Sequence, residues 1–98
     1  MLIRVVKMSF KDEAIPAFLQ LFNERQQQIK EFEGCMHVEL WQDRLHRNIF
    51  FTYSHWVDAG ALEHYRNSAF FADTWQKTKQ LFCNRPEAWS VNRVSIPG

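Results

Sequence analysis

The chain reads as a single α+β domain of the ferredoxin-like kind, with element order β-α-β-β-α-β over residues 1–98. Three observations carry this. Short runs rich in β-branched and aromatic residues alternate with helical patterns. One long stretch repeats its apolar residues at helical spacing. A length of 98 residues leaves room for one core only.

The first run, Leu2 to Phe10, is a strand broken by Arg4 and Lys7. Ser9 or Asp12 can open the next helix, since a short polar side chain accepts from free backbone donors at a helix start. Pro16 falls in its first turn, where a missing N–H costs least. Ile15, Phe18, Leu19, Phe22 and Ile29 form one buried stripe, opposite Gln20, Glu24, Gln27, Gln28, Lys30 and Glu31. Gly34 is the expected stop.

Cys35 to Gln42 is the second strand, Asp43 to Arg47 a polar hairpin loop, and Asn48 to Trp56 the third strand. Asp58 caps a short helix over Ala59 to Arg66. Ser68 opens another, running through Phe82, whose inner face is Phe71, Trp75, Thr78 and Phe82. Asn84-Arg85-Pro86 ends it, and Ala88 to Ile96 is the last strand.

Helices on one face leave the other face of a four-stranded sheet uncovered. In strand three, Ile49, Phe51, Tyr53 and His55 point one way, and Phe50, Thr52, Ser54 and Trp56 the other. In strand two, Met36, Val38 and Leu40 oppose Cys35, His37, Glu39 and Trp41. Neither face is plainly polar, so a second copy of the chain is expected on the helix-free face, which makes a homodimer.

Composition excludes several classes. Twelve Lys and Arg against eleven Asp and Glu give a net charge of +1, too little to draw nucleic acid or an acidic membrane over long range. No nucleic-acid or membrane partner is expected. The RNA-recognition modules that share this element order carry aromatics on strand one, and this chain has none before Phe10. Cys35 and Cys83 lack metal-ligand spacing and are expected to be buried thiols in a reducing, cytoplasmic setting. No His-x-x-x-His or Cys-x-x-Cys points to a metal.

Several segments resemble antibiotic biosynthesis monooxygenase domains. These are Phe32-Glu33-Gly34-Cys35, His55-Trp56, Ala61-Leu62-Glu63, the run Tyr65-Arg66-Asn67-Ser68-Ala69-Phe70-Phe71, Trp75, and Ala88-Trp89-Ser90-Val91. The resemblance spans nearly the whole chain. It implies a dimeric α+β barrel whose two sheets pack through their helix-free faces, each subunit keeping a pocket between sheet and helices. It further implies oxidation of phenols, quinols or polyketide-like aromatics by molecular oxygen, commonly with no metal or flavin, so no cofactor is expected. This chain departs from the family pattern in having Ser54 where a glutamate is frequent, and Tyr65 and Phe70 where histidines are frequent. Haem-degrading members place an asparagine in strand one. Leu2 to Ser9 contains none, which sets that activity aside.

Under this resemblance Trp56, Tyr65, Phe71 and Trp75 are the candidate walls of a substrate pocket, since flat rings bind aromatic surfaces. His37 and His55, on adjacent strands and sharing by parity a face with Tyr53 that is either the pocket or the dimer seam, are the candidate proton-handling groups, with a structural hydrogen-bonded His as the alternative, because a phenol is oxidised more readily as its anion. His46 reads as a solvated loop residue, and His64, beside Tyr65, as lying on the helix flank. Arg4, Arg25, Arg66 and Arg93 either anchor an acidic substrate or pair with Glu39 and Asp43. The rival to an enzyme is a module on the same dimeric fold that binds a small ligand without turnover.

Overall fold

In the computed structural model, which describes residues 1–97, the chain forms β1 (Leu2–Ser9), a 3-10 turn (Asp12–Ala14), α1 (Ile15–Lys30), β2 (Cys35–Gln42), β3 (Ile49–Trp56), α2 (Ala59–Arg66), α3 (Ala69–Lys79) and β4 (Glu87–Val91). The strands make one sheet in the order β2-β3-β1-β4, with every neighbouring pair antiparallel. This is the ferredoxin-like topology that the sequence pattern predicts.

Cross-strand register sorts the side chains into two faces. On one face lie three rows: His37, His55, Ile3 and Val91; Glu39, Tyr53, Val5 and Trp89; Trp41, Phe51, Lys7 and Glu87. The other face carries Val38, Ser54, Arg4 and Ser90, then Leu40, Thr52, Val6 and Ala88. All three helices pack on this second face.

The core under the helices is divided. Met8, Phe10, Ile15, Phe18 and Phe50 pack at one end, and Ile29, Val38, Trp56, Leu62 and Tyr65 at the other. Phe22, near the middle of α1, touches both groups. The first cluster is nearly all aromatic contact: Phe10 stacks on Phe18 at a centroid distance of 4.1 Å and meets Phe50 edge-on at 5.9 Å.

Several boundaries differ from the sequence reading, each for a physical reason. Neither Ser9 nor Asp12 caps α1. Ser9 O accepts from Cys83 N at 2.9 Å and Leu81 O accepts from Lys11 N at 3.1 Å, so this backbone is tied to the segment after α3. The chain then turns through Asp12–Ala14, and Ala14 serves as N-cap with no side-chain bond, Pro16 lying in the first turn. The same bridge explains why α3 stops at Lys79 rather than Phe82. β4 ends at Val91, not Ile96, because Val91 already pairs with Ile3 and β1 itself begins at Leu2.

Leu19 is 42% exposed and leaves the α1 stripe. A bulge between Cys35 and His37 also shifts the strand-two alternation. Cys35 pairs with Trp56 and packs on the helix side, while Met36 is exposed. The two thiols are not deeply buried as expected: Cys35 is half-buried and Cys83 exposed. Gly34 does end the first helix region, with φ at +87°, a conformation that favours glycine.

Candidate active site

A cavity of about 270 Å³ lies between the two core clusters, roofed by α1, α2 and α3 and floored by all four strands, β4 through Ala88. The local sequence explains why the space is there. Thr52 and Ser54 on β3, and Thr74 and Thr78 on α3, place short side chains among the large rings. Those rings meet one another without filling the centre.

Each wall residue is held by its own element. Trp56 closes β3, is 1% exposed, and donates its indole N–H to Ser54 Oγ at 3.0 Å. Tyr65 sits in the last turn of α2, which starts at the Asp58 cap accepting from Ala61 N at 2.8 Å. It stacks on Trp56 at 4.9 Å and meets Phe71 edge-on at 5.1 Å. Burial pushes its phenol well above the ordinary value, with the Cys35 thiol adding to the effect, so it stays protonated and able to donate. Ser68 caps α3 by accepting from Phe71 N at 3.1 Å, which fixes Phe71 and Trp75 on one helix face, their rings 5.9 Å apart and nearly parallel. All four residues expected as walls therefore line the same cavity.

Arg25 clamps α1 to α3 from outside. It bonds Asp73 at 2.8 Å and donates to Thr74 Oγ1 at 2.9 Å. That pairing holds the Asp73 carboxyl below its ordinary range, through the Arg25 hydrogen bond first and Lys77 second. Thr78 Oγ1 turns back to its own helix, donating to Thr74 O at 2.7 Å.

The two histidines expected to handle the proton lie elsewhere. His37 and His55 face each other across β2 and β3 on the helix-free side, with the sheet between them and the cavity. Strand parity groups them with Tyr53 as expected, and of the two faces the sequence left open theirs is the helix-free one, apart from the cavity that the four aromatic residues line. His55 Nε2 lies 2.6 Å from Tyr53 Oη, and the two imidazole rings are 5.6 Å apart. Burial, then His37 and Arg93, push His55 below its ordinary value. His46 is a loop residue beside Asp43, as expected.

Among the described residues, no carboxylate or imidazole lines the cavity; its charged groups are Arg4 and Arg66. Among the described residues, the expected pairing of arginines with Glu39 and Asp43 is not found. Arg4 bonds Ser90 Oγ, Arg25 bonds Asp73, and Arg66 lies 3.9 Å from Glu63.

The sequence profile described as "Antibiotic biosynthesis monooxygenase" matches residues 1–77. The chain belongs to the antibiotic biosynthesis monooxygenase family. Solved structures agree on the fold. One named as an antibiotic biosynthesis monooxygenase is 20% identical with a TM-score of 0.90, covering 97% of this chain and 100% of its own. A conserved protein from Methanosarcina mazei Go1 is 22% identical with a TM-score of 0.89, covering 96% and 94%. At these identities the likeness shows the fold alone. No curated protein matches the chain.

Within this monooxygenase family fold, the polar and apolar signals differ in how well sequence reveals them. Phe71 and Trp75 follow from helical spacing, whereas Trp56 on β3 and Tyr65 on α2 are expected as walls through the family resemblance. The hydroxyl residues Thr52 and Ser54 were visible as the small members of an otherwise bulky strand, but nothing in the linear order marks them as a cavity floor.

Proposed function

We propose that this chain is a cofactor-independent monooxygenase that oxidises a small aromatic phenol or quinol with molecular oxygen, working as a homodimer in the cytoplasm. The observation that supports it is the aromatic-walled cavity. Its volume of about 270 Å³ exceeds the ~150 Å³ of a dry cavity that accepts benzene, so a fused two-ring substrate is a reasonable occupant. Trp56, Tyr65, Phe71 and Trp75 supply flat surfaces for it.

The reaction needs no electrons beyond those of the substrate. A bound naphtholate passes one electron to O2, giving an aryloxyl radical and superoxide. Their recombination forms a C–O bond at the para carbon. The O–O bond then breaks, the para carbon loses its proton, and water leaves with the second oxygen atom. For 1-naphthol the sum is naphthol plus O2 giving 1,4-naphthoquinone plus water. The chain's part is to bind the ring, favour its anion and keep bulk water away from the radical pair.

An oxygen electrode tests this directly with a panel of naphthols and hydroquinones. The expected result is uptake above the buffer rate, stoichiometric with quinone and lost on heating the protein. Absence of uptake across the panel contradicts it. A second reading has one observation in its favour: no base lines the cavity among the described residues. A binding module would then show thermal stabilisation by the same aromatics without oxygen uptake.

A further inference from the structure

We infer that Arg4 and Arg66 form an anion-binding subsite in the cavity, and that the ligand is a flat aromatic carrying an ionised oxygen. The inference deepens the proposed function and rests on the cavity being its binding site.

Four features support it. Arg4 and Arg66 both line the cavity, and no negative residue does so among the described residues. Arg4 stands on a central strand, on the helix-covered face, flanked in its row by Ser54 and Ser90. Arg4 is half-buried there, so it has lost part of its water without gaining a counter-charge. Among the described residues its side chain makes one hydrogen bond, a neutral one from Nη1 to Ser90 Oγ at 3.0 Å. Arg25 makes the contrast plain, since it is also half-buried but holds Asp73 at 2.8 Å.

Arg66 does not supply what Arg4 lacks. It is a second positive charge, and its own acid, Glu63, is 3.9 Å away on the exposed side of α2. An exposed pair at that distance contributes little. Burial first, and the Arg66 charge second, hold Arg4 below its ordinary value. A carboxylate or phenolate between the two would relieve both and accept paired N–H bonds from a planar fork.

The pair also addresses the missing base. Two adjacent guanidinium groups lower the pKa of a bound phenol, so that its proton can pass to solvent without a protein acceptor. The ring would lie on Phe71 and Trp75 with its charged oxygen toward Arg4 and Arg66.

The test is calorimetric binding to the purified full chain of 2-naphthoate and of its neutral isostere 2-naphthamide, neither of which needs to be turned over. We expect naphthoate to bind about tenfold tighter or more, the usual value of a charge-assisted contact. Arg66→Gln and Arg4→Gln should each remove most of that preference and leave naphthamide affinity unchanged. Arg66 is exposed on its helix, so Arg66→Gln keeps the test open should Arg4→Gln fail to fold. Equal affinity for the two probes, no binding of either, or a preference that survives in Arg66→Gln overturns the inference. Oxygen uptake separates this from the function above. A charge preference without uptake keeps the subsite and removes the oxygenase. Uptake that both variants retain in full keeps the oxygenase and removes the subsite.

Discussion

The indole of Trp56 lies against the phenol of Tyr65, with centroids 4.9 Å apart and planes inclined by 29°. This stack joins the end of β3 to the last turn of α2 and closes one end of the cavity. Trp56 belongs to the core as much as to the site, being 1% exposed, whereas Trp75 is half-buried. The two indoles should therefore separate stability from binding.

Trp56→Ala should lower unfolding free energy by about 3–5 kcal/mol, the usual cost of emptying a large buried aromatic site. Trp75→Ala should cost distinctly less and weaken 1-naphthol binding more. Urea denaturation at constant slope, alongside a binding titration, measures both. Equal losses of stability for the two variants would contradict this division.

Gly34→Ala should destabilise the fold by about 2–4 kcal/mol, combining a left-handed backbone with overpacking. The added Cβ would collide with the Cβ of Ala61 on α2 and press on Val57 at 3.3 Å. Gly34 O also accepts from Val57 N at 2.9 Å, so relief by moving the loop breaks that bond. Thermal unfolding close to wild type would contradict the argument.

The fold and part of the site were legible in the sequence. Alternation in Asn48 to Trp56 separates Tyr53 and His55 from Ser54 and Trp56 correctly, and the four-residue step from Phe71 to Trp75 gives one helix face. Alternation does not say which face the helices cover, so it leaves open whether His37 and His55 share the pocket, and the structure puts them on the helix-free face. The bulge at Met36 is equally silent in sequence, since an extra residue in a strand changes no composition. The significance of Arg4 depends on what its neighbours fail to offer, which only the packed structure reveals.

Histidine titration should weaken the fold on mild acidification. His55 sits beside His37 and Arg93, with Glu39 acting the other way, and its folded pKa lies below the reference of 6.5. The unfolded chain therefore binds the proton more readily. The contribution is full above pH 6.5 and is lost as pH falls from there through the folded value. His37→Gln should shrink this loss. Asp73 acts in a lower window. Its depressed carboxyl contributes stability above the reference of 3.8, which is lost as pH falls through the folded value, and Asp73→Asn should flatten that limb. Chemical denaturation across pH 3–8 resolves the two windows.

The helix-free face tests the proposed dimer. Trp41 and Trp89 are 40% and 46% exposed, and Trp41 stacks on Tyr53 at 4.5 Å. Apolar rings grouped on an open sheet face suit a second copy of the same face. Sedimentation should give twice the single-chain mass for the wild type and the single-chain mass for Trp89→Asp. A wild-type monomer at micromolar concentration would contradict the dimer.

The central claim is that an aromatic molecule occupies the space between the sheet and α3. A crystal structure of the protein with bound 1-naphthol measures it most directly. The account predicts the naphthol ring in contact, at roughly 3.5–4 Å, with Phe71 and Trp75, and its oxygen toward Arg4 and Arg66. Naphthol seated on the helix-free face, with the cavity holding water alone, would contradict it.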